Sequence, residues 1–158
     1  MPPYSIGNTW SCDSQIWSGA LRNPASCPQQ SSLSADEQPP AQYYDRGSSY
    51  GYYYNWTCVY ENATTLCPSP WRVPTDNDLS TLVSCAEKNH SLDGSLWLGA
   101  WGPTGYVATS EFVESPTGHV WSQTAEPPPY AVCLLYDTNG VGIVADYRAV
   151  GFPVRCVR

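Results

Sequence analysis

Leu66-Cys67-Pro68-Ser69-Pro70-Trp71-Arg72-Val73-Pro74-Thr75-Asp76 is the stretch on which the fold turns, and the terminal Gly151-Phe152-Pro153-Val154-Arg155-Cys156-Val157-Arg158 is its counterpart. Each sets one cysteine among rigid or apolar residues. The first leads into the clearest helix of the chain. Pro74 precedes it, Thr75 is a good N-cap, and Asp78 completes a capping-box variant three residues later. Asp76 and Asp78 in the first turn also suit the helix dipole. Leu79, Leu82, Val83 and Ala86 follow at i, i+3, i+4 and i+7, so one face is apolar. The helix is expected to end near Glu87 to Asn89. A bridge between Cys67 and Cys156 would tie the last strand to this helix entrance. It would close a loop of roughly 90 residues, a chain-entropy saving on the order of 4–5 kcal/mol.

Beyond the helix the pattern changes to short strands with turns, at 95–99, 106–108 and 119–122. Segments 131–136 and 141–147 flank Asp137-Thr138-Asn139-Gly140, where Asn-Gly is a strong hairpin signal. Residues 152–157 read as the last strand. Upstream, residues 50–56 (Tyr50-Gly51-Tyr52-Tyr53-Tyr54-Asn55-Trp56) read as a strand with aromatic side chains on both faces. Residues 1–49, rich in Pro, Ser, Gln and Gly, show no sustained period and read as loops and short strands pinned by Cys12 and Cys27. Within them, 29–42 is expected to wrap the surface. The expected fold class is α+β: one or two helices with a small antiparallel, loop-rich sheet, stapled by disulfides. A loop-rich extension, 1–49, is expected to pack on a domain formed by 50–158.

Composition narrows the function. Only 13% of residues are charged, whereas there are 12 Tyr and 7 Trp but only 2 Phe, so hydroxyls, amides and tyrosines make the surface. That suits a protein or glycan receptor. The net charge of −7 offers no footprint for nucleic acid or an anionic membrane, and no apolar run is long enough to insert directly into a bilayer. Met1-Pro2-Pro3-Tyr4 lacks the basic and apolar regions of a secretion signal, so the expectation is a mature domain or release by another route, such as lysis in a virion component.

The 7 cysteines contain no CxxC pair, which favours disulfides over zinc and an extracellular location. Cys12 and Cys27 are expected to bond each other, since their spacing closes an economical local loop. Of Cys58, Cys85 and Cys133, two pair and one is left over. The sequons at Asn55, Asn62 and Asn89 fit an exported chain but carry meaning only with a eukaryotic secretory route.

In this order, the Gly51–Trp56 aromatic run, the Leu66–Asp76 box, His119-Val120-Trp121-Ser122 and the closing Gly151–Val157 segment resemble the Fibrobacter succinogenes major paralogous domain family, common on Bacteroidetes surfaces. The resemblance covers roughly 50–158. Pro70 stands where the family usually has Gly, and Leu79 where Trp is common. The resemblance implies a C-type-lectin-like fold, shared with formylglycine-generating enzymes and with variable proteins of diversity-generating retroelements. It also implies a Cys67–Cys156 bond, because it places the helix entry beside the last strand.

The variable proteins put their ligand contacts in a stretch laid out like Thr124 to Tyr130. Pro127-Pro128-Pro129 cannot continue a central strand and stiffen this segment into a loop or edge. The expected ligand-binding residues are therefore Gln123, Thr124, Glu126, Pro128 and Tyr130, extended across the terminal hairpin by Asp146, Tyr147 and Arg148. Tyr43 and Tyr44, like Tyr130 and Tyr147, are expected to be exposed, one of Tyr52 and Tyr54 to face the core, and Trp56, Trp71, Trp97 and Trp121 to be mostly buried.

Enzyme signatures are missing from this sequence. It holds 2 histidines, His90 and His119, and no GxSxG elbow, HExxH pair or phosphate-cradling glycine loop. The paired cysteines of the formylglycine-generating relatives have no local match. Sugar-binding C-type lectins hold calcium with Glu-Pro-Asn-like and Trp-Asn-Asp segments, but Glu126-Pro127-Pro128 lacks the amide and Trp121-Ser122-Gln123 lacks both Asn and Asp. No metal, cofactor or catalytic residue is expected. The reading is a non-enzymatic recognition or adhesion module on a bacterial or phage surface. Its alternative is a structural or decoration subunit that packs against copies of itself as a homo-oligomer.

Overall fold

The computed structural model describes residues 5–6, 9–48, 50–88, 104–108, 111–115, 117–137 and 140–158. The expected strand at 95–99, Trp97, His90, the Asn89 sequon and the Thr138-Asn139 turn lie outside them. Among the described residues, two helices and several small antiparallel sheets make an α+β fold.

The first sheet joins the two ends of the chain. Strand β1 (Ser5–Ile6), β2 (Trp10–Cys12) and β3 (Gln15–Leu21) come from the opening segment. After β4 (Tyr43–Asp45), β5 (Tyr52–Tyr54), helix α1 (Trp56–Glu61) and helix α2 (Asp76–Lys88) come β6 (Thr104–Ala108) and β7 (Glu111–Ser115). Strands β8 (Gly118–Ala125), β9 (Tyr130–Asp137), β10 (Gly140–Tyr147) and β11 (Arg155–Val157) complete the order. β3 pairs with β1, β2 and β11, whereas β8, β9 and β10 form a separate three-stranded sheet with β9 central.

Helix α2 starts as its capping residues dictate. The Thr75 Oγ1 accepts from the Asp78 N–H at 3.2 Å, and the Asp78 carboxylate accepts from the Thr75 N–H at 3.0 Å. Leu79, Leu82 and Ala86 are buried against Trp17, Val120, Leu134 and Tyr136. Residues 50–56 are not one strand. β5 stops at Tyr54, and the buried Asn55 side chain accepts from the Cys58 N–H at 3.1 Å, capping α1. An asparagine between aromatics reads poorly as a cap by pattern, because α1 is too short to show a helical period. The closing segment is likewise shorter than 152–157: Phe152 bridges Tyr54, and Pro153 precedes β11.

Three disulfides join Cys67–Cys156, Cys12–Cys85 and Cys27–Cys58, and Cys133 is a buried free thiol. The first bond is as expected, and a strand–strand bridge between Arg72 and Val157 runs beside it. The expected Cys12–Cys27 bond does not form. The 7 residues of β3, at about 3.3 Å each, carry the chain on the order of 20 Å from the Cys12 end. Cys12 is left beside α2, where the Gln15 amide donates to the Asp78 carbonyl, and Cys27 arrives over α1. Three disulfides suit folding in an oxidising compartment. Among the described residues no helix is long and apolar enough to cross a membrane.

The core joins these layers through indole N–H groups. Trp121 Nε1 donates to the Tyr54 carbonyl at 2.7 Å, and Trp56 Nε1 to the Ser122 carbonyl at 3.0 Å. Trp56, Trp71 and Trp121 are buried, as is Trp17, which the sequence reading did not single out. Arg155 of the closing motif is also buried. Desolvation pushes its pKa down, against the hydroxyls of Tyr136 and Tyr53, which favour the charged form.

Candidate recognition surface

The β8–β9 connection divides into two parts. Trp121 lies opposite Cys133, but Ala125 lies opposite Ala131, so extra residues bulge from β8 between them. Ser122 fills the gap: its hydroxyl donates to the Val132 carbonyl at 2.7 Å and accepts from the Thr124 N–H at 3.0 Å. The bulge turns Gln123 and Thr124 toward the entrance of α2. The Gln123 N–H and side-chain amide donate to the carbonyls of Pro74 and Val73, each at 2.8 Å. Thr124 Oγ1 accepts from the Asp76 N–H at 2.9 Å. Both residues are half-buried and engaged by the α2 entrance.

After Ala125 the chain leaves the sheet. Glu126, Pro127 and Pro128 are exposed, and the Tyr130 N–H closes the turn on the Pro127 carbonyl at 3.1 Å. Tyr130 is 40% exposed and faces Tyr147, which is 53% exposed, with ring centroids 5.1 Å apart. The neighbouring Tyr147 hydroxyl raises the Tyr130 pKa.

Arg148 holds this corner rather than projecting from it. Its guanidinium donates to the Tyr130 and Glu126 carbonyls at 2.8 and 2.6 Å, and its N–H to the Pro129 carbonyl at 2.8 Å. The guanidinium carbon also lies 4.5 Å from the centre of the Trp56 ring. The loop and the end of β10 are thereby fixed as one surface.

Asp146 departs from its neighbours. Strand alternation sends it to the opposite face of β10 from Tyr147. Its carboxylate lies 3.8 Å from His119 Nε2, too far for a hydrogen bond. The His119 ring stacks on Phe152 with centroids 4.2 Å apart. Burial lowers the His119 pKa, and Asp146 opposes that shift. Burial, and secondarily Asp146, pushes the Cys133 thiol pKa up.

Tyr43 is buried, not exposed: its ring stacks on Tyr52 at 4.6 Å, and burial raises its pKa. Tyr44 is half-buried and packs beside Tyr53 and Val107. Of Tyr52 and Tyr54, the core-facing member is Tyr54, whose hydroxyl donates to the Asn23 carbonyl and whose pKa burial raises. The Asn55 and Asn62 side chains are buried and hydrogen-bonded to backbone around α1, so neither is presented for a glycan.

Two neighbours of the surface carry no clear signal in the sequence. Tyr60, 59% exposed at the end of α1, stacks on Trp56 at 4.9 Å. The strap at 35–39 is exposed apart from Pro39, whose carbonyl accepts from the Thr57 hydroxyl. Its weak pattern hid two anchors, the buried Leu33 and Pro39.

A family model described as the Fibrobacter succinogenes major domain matches residues 18–100. That is more than half of the chain, and the chain belongs to this family. The match includes the Tyr52–Trp56 and Cys67–Asp76 segments and starts within β3, earlier than the resemblance read over 50–158; Trp121-Ser122 and the closing motif lie beyond it. No curated protein and no solved structure matches.

Proposed function

We propose, with membership of the Fibrobacter succinogenes major domain family as the premise, that the protein is a non-enzymatic recognition module of C-type-lectin-like fold. It works outside the cell, on a bacterial or phage surface, and binds a protein or glycan receptor. One observation carries the reading: Arg148 fastens the proline-stiffened loop to the end of β10 while Tyr130 and Tyr147 stay exposed. Contacts made by a preordered loop lose little conformational entropy on binding. Tyrosine supplies large contact area at low rotamer cost. The stacking of the His119 ring on Phe152 suits a packing role for this histidine. Within this surface Glu126, Pro128, Tyr130 and Tyr147 make contact and Arg148 positions them, while Gln123 and Thr124 serve through the α2 entrance.

The test is the paired substitution Glu126→Ala/Tyr130→Ala, assayed by pull-down and biolayer interferometry against whole cells and extracted surface material. Binding should be lost with melting nearly unchanged. Binding that survives this pair, yet disappears in Tyr44→Ala, moves the site to the N-terminal half.

A second reading has one observation in its favour. Among the described residues β10 stands at the end of its sheet, with Ile143 and Tyr147 exposed along it, and such an edge can pair with another copy. A stable oligomer in sedimentation that buries Tyr147 would favour the structural-subunit role.

A further inference from the structure

We infer that the groove between α1 and the 35–39 strap is a subsite for a neutral pyranose chain, which deepens the recognition reading and rests on it. The groove has a volume of about 470 Å³ and is lined by Gln38, Thr57, Tyr60, Glu61, Arg148 and the edge of Trp56, among others. That volume falls in the range typical of small-ligand sites.

Its floor is an aromatic platform fixed in advance. The Tyr60 ring lies 27° from the Trp56 plane with centroids 4.9 Å apart, and Arg148 sits over the same indole at 4.5 Å. Trp56 is itself locked, because its indole N–H donates to the Ser122 carbonyl and its backbone N–H to the Arg148 carbonyl. The ring face of Tyr60 carries the negative part of the aromatic quadrupole. A pyranose presents the complement, a face of weakly positive C–H groups with hydroxyls around its rim.

The polar rim suits those hydroxyls. Gln38 and Glu61 are exposed, and among the described residues neither side chain has a hydrogen-bond partner. Thr57 donates its proton to the Pro39 carbonyl, which leaves its oxygen to accept. The amide both donates and accepts, and the carboxylate accepts. Charge then selects among glycans. Asp36, Glu37, Glu61 and Glu126, exposed around the groove and its neighbouring loop, outnumber the one lining cation, Arg148, so uronate or sialylated chains meet net repulsion. A folded protein partner would need a contact area of roughly 800 Å² on each side, which this concave site does not offer alone.

The experiment titrates the intact protein with cellohexaose, xylohexaose, mannohexaose and chitohexaose, and with oligogalacturonate as the anionic arm, by calorimetry. At least one neutral oligosaccharide should bind and oligogalacturonate should not. Tyr60→Ala should weaken that binding roughly three- to tenfold, the range of one aromatic stacking contact, while Tyr60→Phe retains it. Gln38→Ala/Glu61→Gln, both at exposed positions, should weaken it independently of any packing change at Tyr60. Silence across the neutral panel, tighter binding of oligogalacturonate, or unchanged affinity in both variants would overturn the inference. If sugar binding follows Tyr130→Ala and ignores Tyr60→Ala, the groove is wrong and the recognition reading stands. If it follows Tyr60→Ala while whole-cell binding ignores Glu126→Ala/Tyr130→Ala, the groove stands and the proline-loop face is wrong.

Discussion

Gln123 and Thr124 stand only a few residues from Glu126 and Tyr130 on the same β8–β9 connection, yet the two pairs have opposite fates. The first pair spends its amide, backbone N–H and hydroxyl on Val73, Pro74 and Asp76, fastening the entrance of α2. The second pair is exposed and held from behind by Arg148 through backbone carbonyls alone. Asp146 and Tyr147 repeat the contrast on the facing strand: one turns inward to His119, the other outward to Tyr130. A rigid contact surface thus consists of residues that present and residues that hold. Adjacency in sequence does not tell them apart.

The largest blow to this arrangement strikes what both parts stand on. Trp121 is fully buried, starts the bulge and donates to the Tyr54 carbonyl. Trp121→Ala should cost about 3–5 kcal/mol, a large share of a typical domain's stability. Chemical denaturation would measure it. A loss below about 1 kcal/mol would show that the sheet does not depend on this indole.

How much of this was legible follows from which residues carry local signals. Thr75 and Asp78 announce α2 because a capping box is local chemistry, and the structure reproduces it hydrogen bond for hydrogen bond. The Asn-Gly hairpin is similarly local, and Gly140 lies opposite Asp137. Cys12–Cys85 and Cys27–Cys58 were not legible, because the partners are chosen by where β3 carries the chain. The candidate surface was half legible. Pro127-Pro128-Pro129 correctly marks where the strand must end, whereas the bulge that turns Gln123 inward depends on Ser122 reaching Val132 across the sheet. Tyr60 gave no signal, since one tyrosine at a short helix end has no pattern to distinguish a platform from packing.

A smaller effect would separate the holding pair from the presenting one. Gln123→Ala removes the amide that satisfies the Val73 carbonyl and should cost about 1 kcal/mol, the net worth of an ordinary hydrogen bond. The effect should be a lower melting temperature, with receptor binding unchanged once the protein is folded. Glu126→Ala/Tyr130→Ala should show the reverse pattern. If Gln123→Ala left stability intact and removed binding, Gln123 would join the presenting residues, and holding and presenting roles would not divide along β8.

The smallest effect tests the division on β10 through pH. His119 is packed on Phe152, and burial holds its pKa below the ordinary value of about 6.5, with Asp146 opposing the shift. Between the folded and unfolded values the unfolded chain binds a proton that the native protein does not. Stability therefore rises with pH across that window: the contribution is complete above about 6.5 and is lost as pH falls toward the folded value. Urea midpoints at about pH 7.5 and 5.5 should show this decline, and His119→Gln should flatten it. Asp146→Asn removes the charge that favours protonated His119, so the folded pKa drops further and the acid decline should steepen. Receptor binding at neutral pH should be the same as in the parent, because Asp146 faces inward. An unaltered acid limb together with lost binding would place Asp146 on the outer surface beside Tyr147, and would mean that alternation along β10 does not separate the residues that hold from those that present.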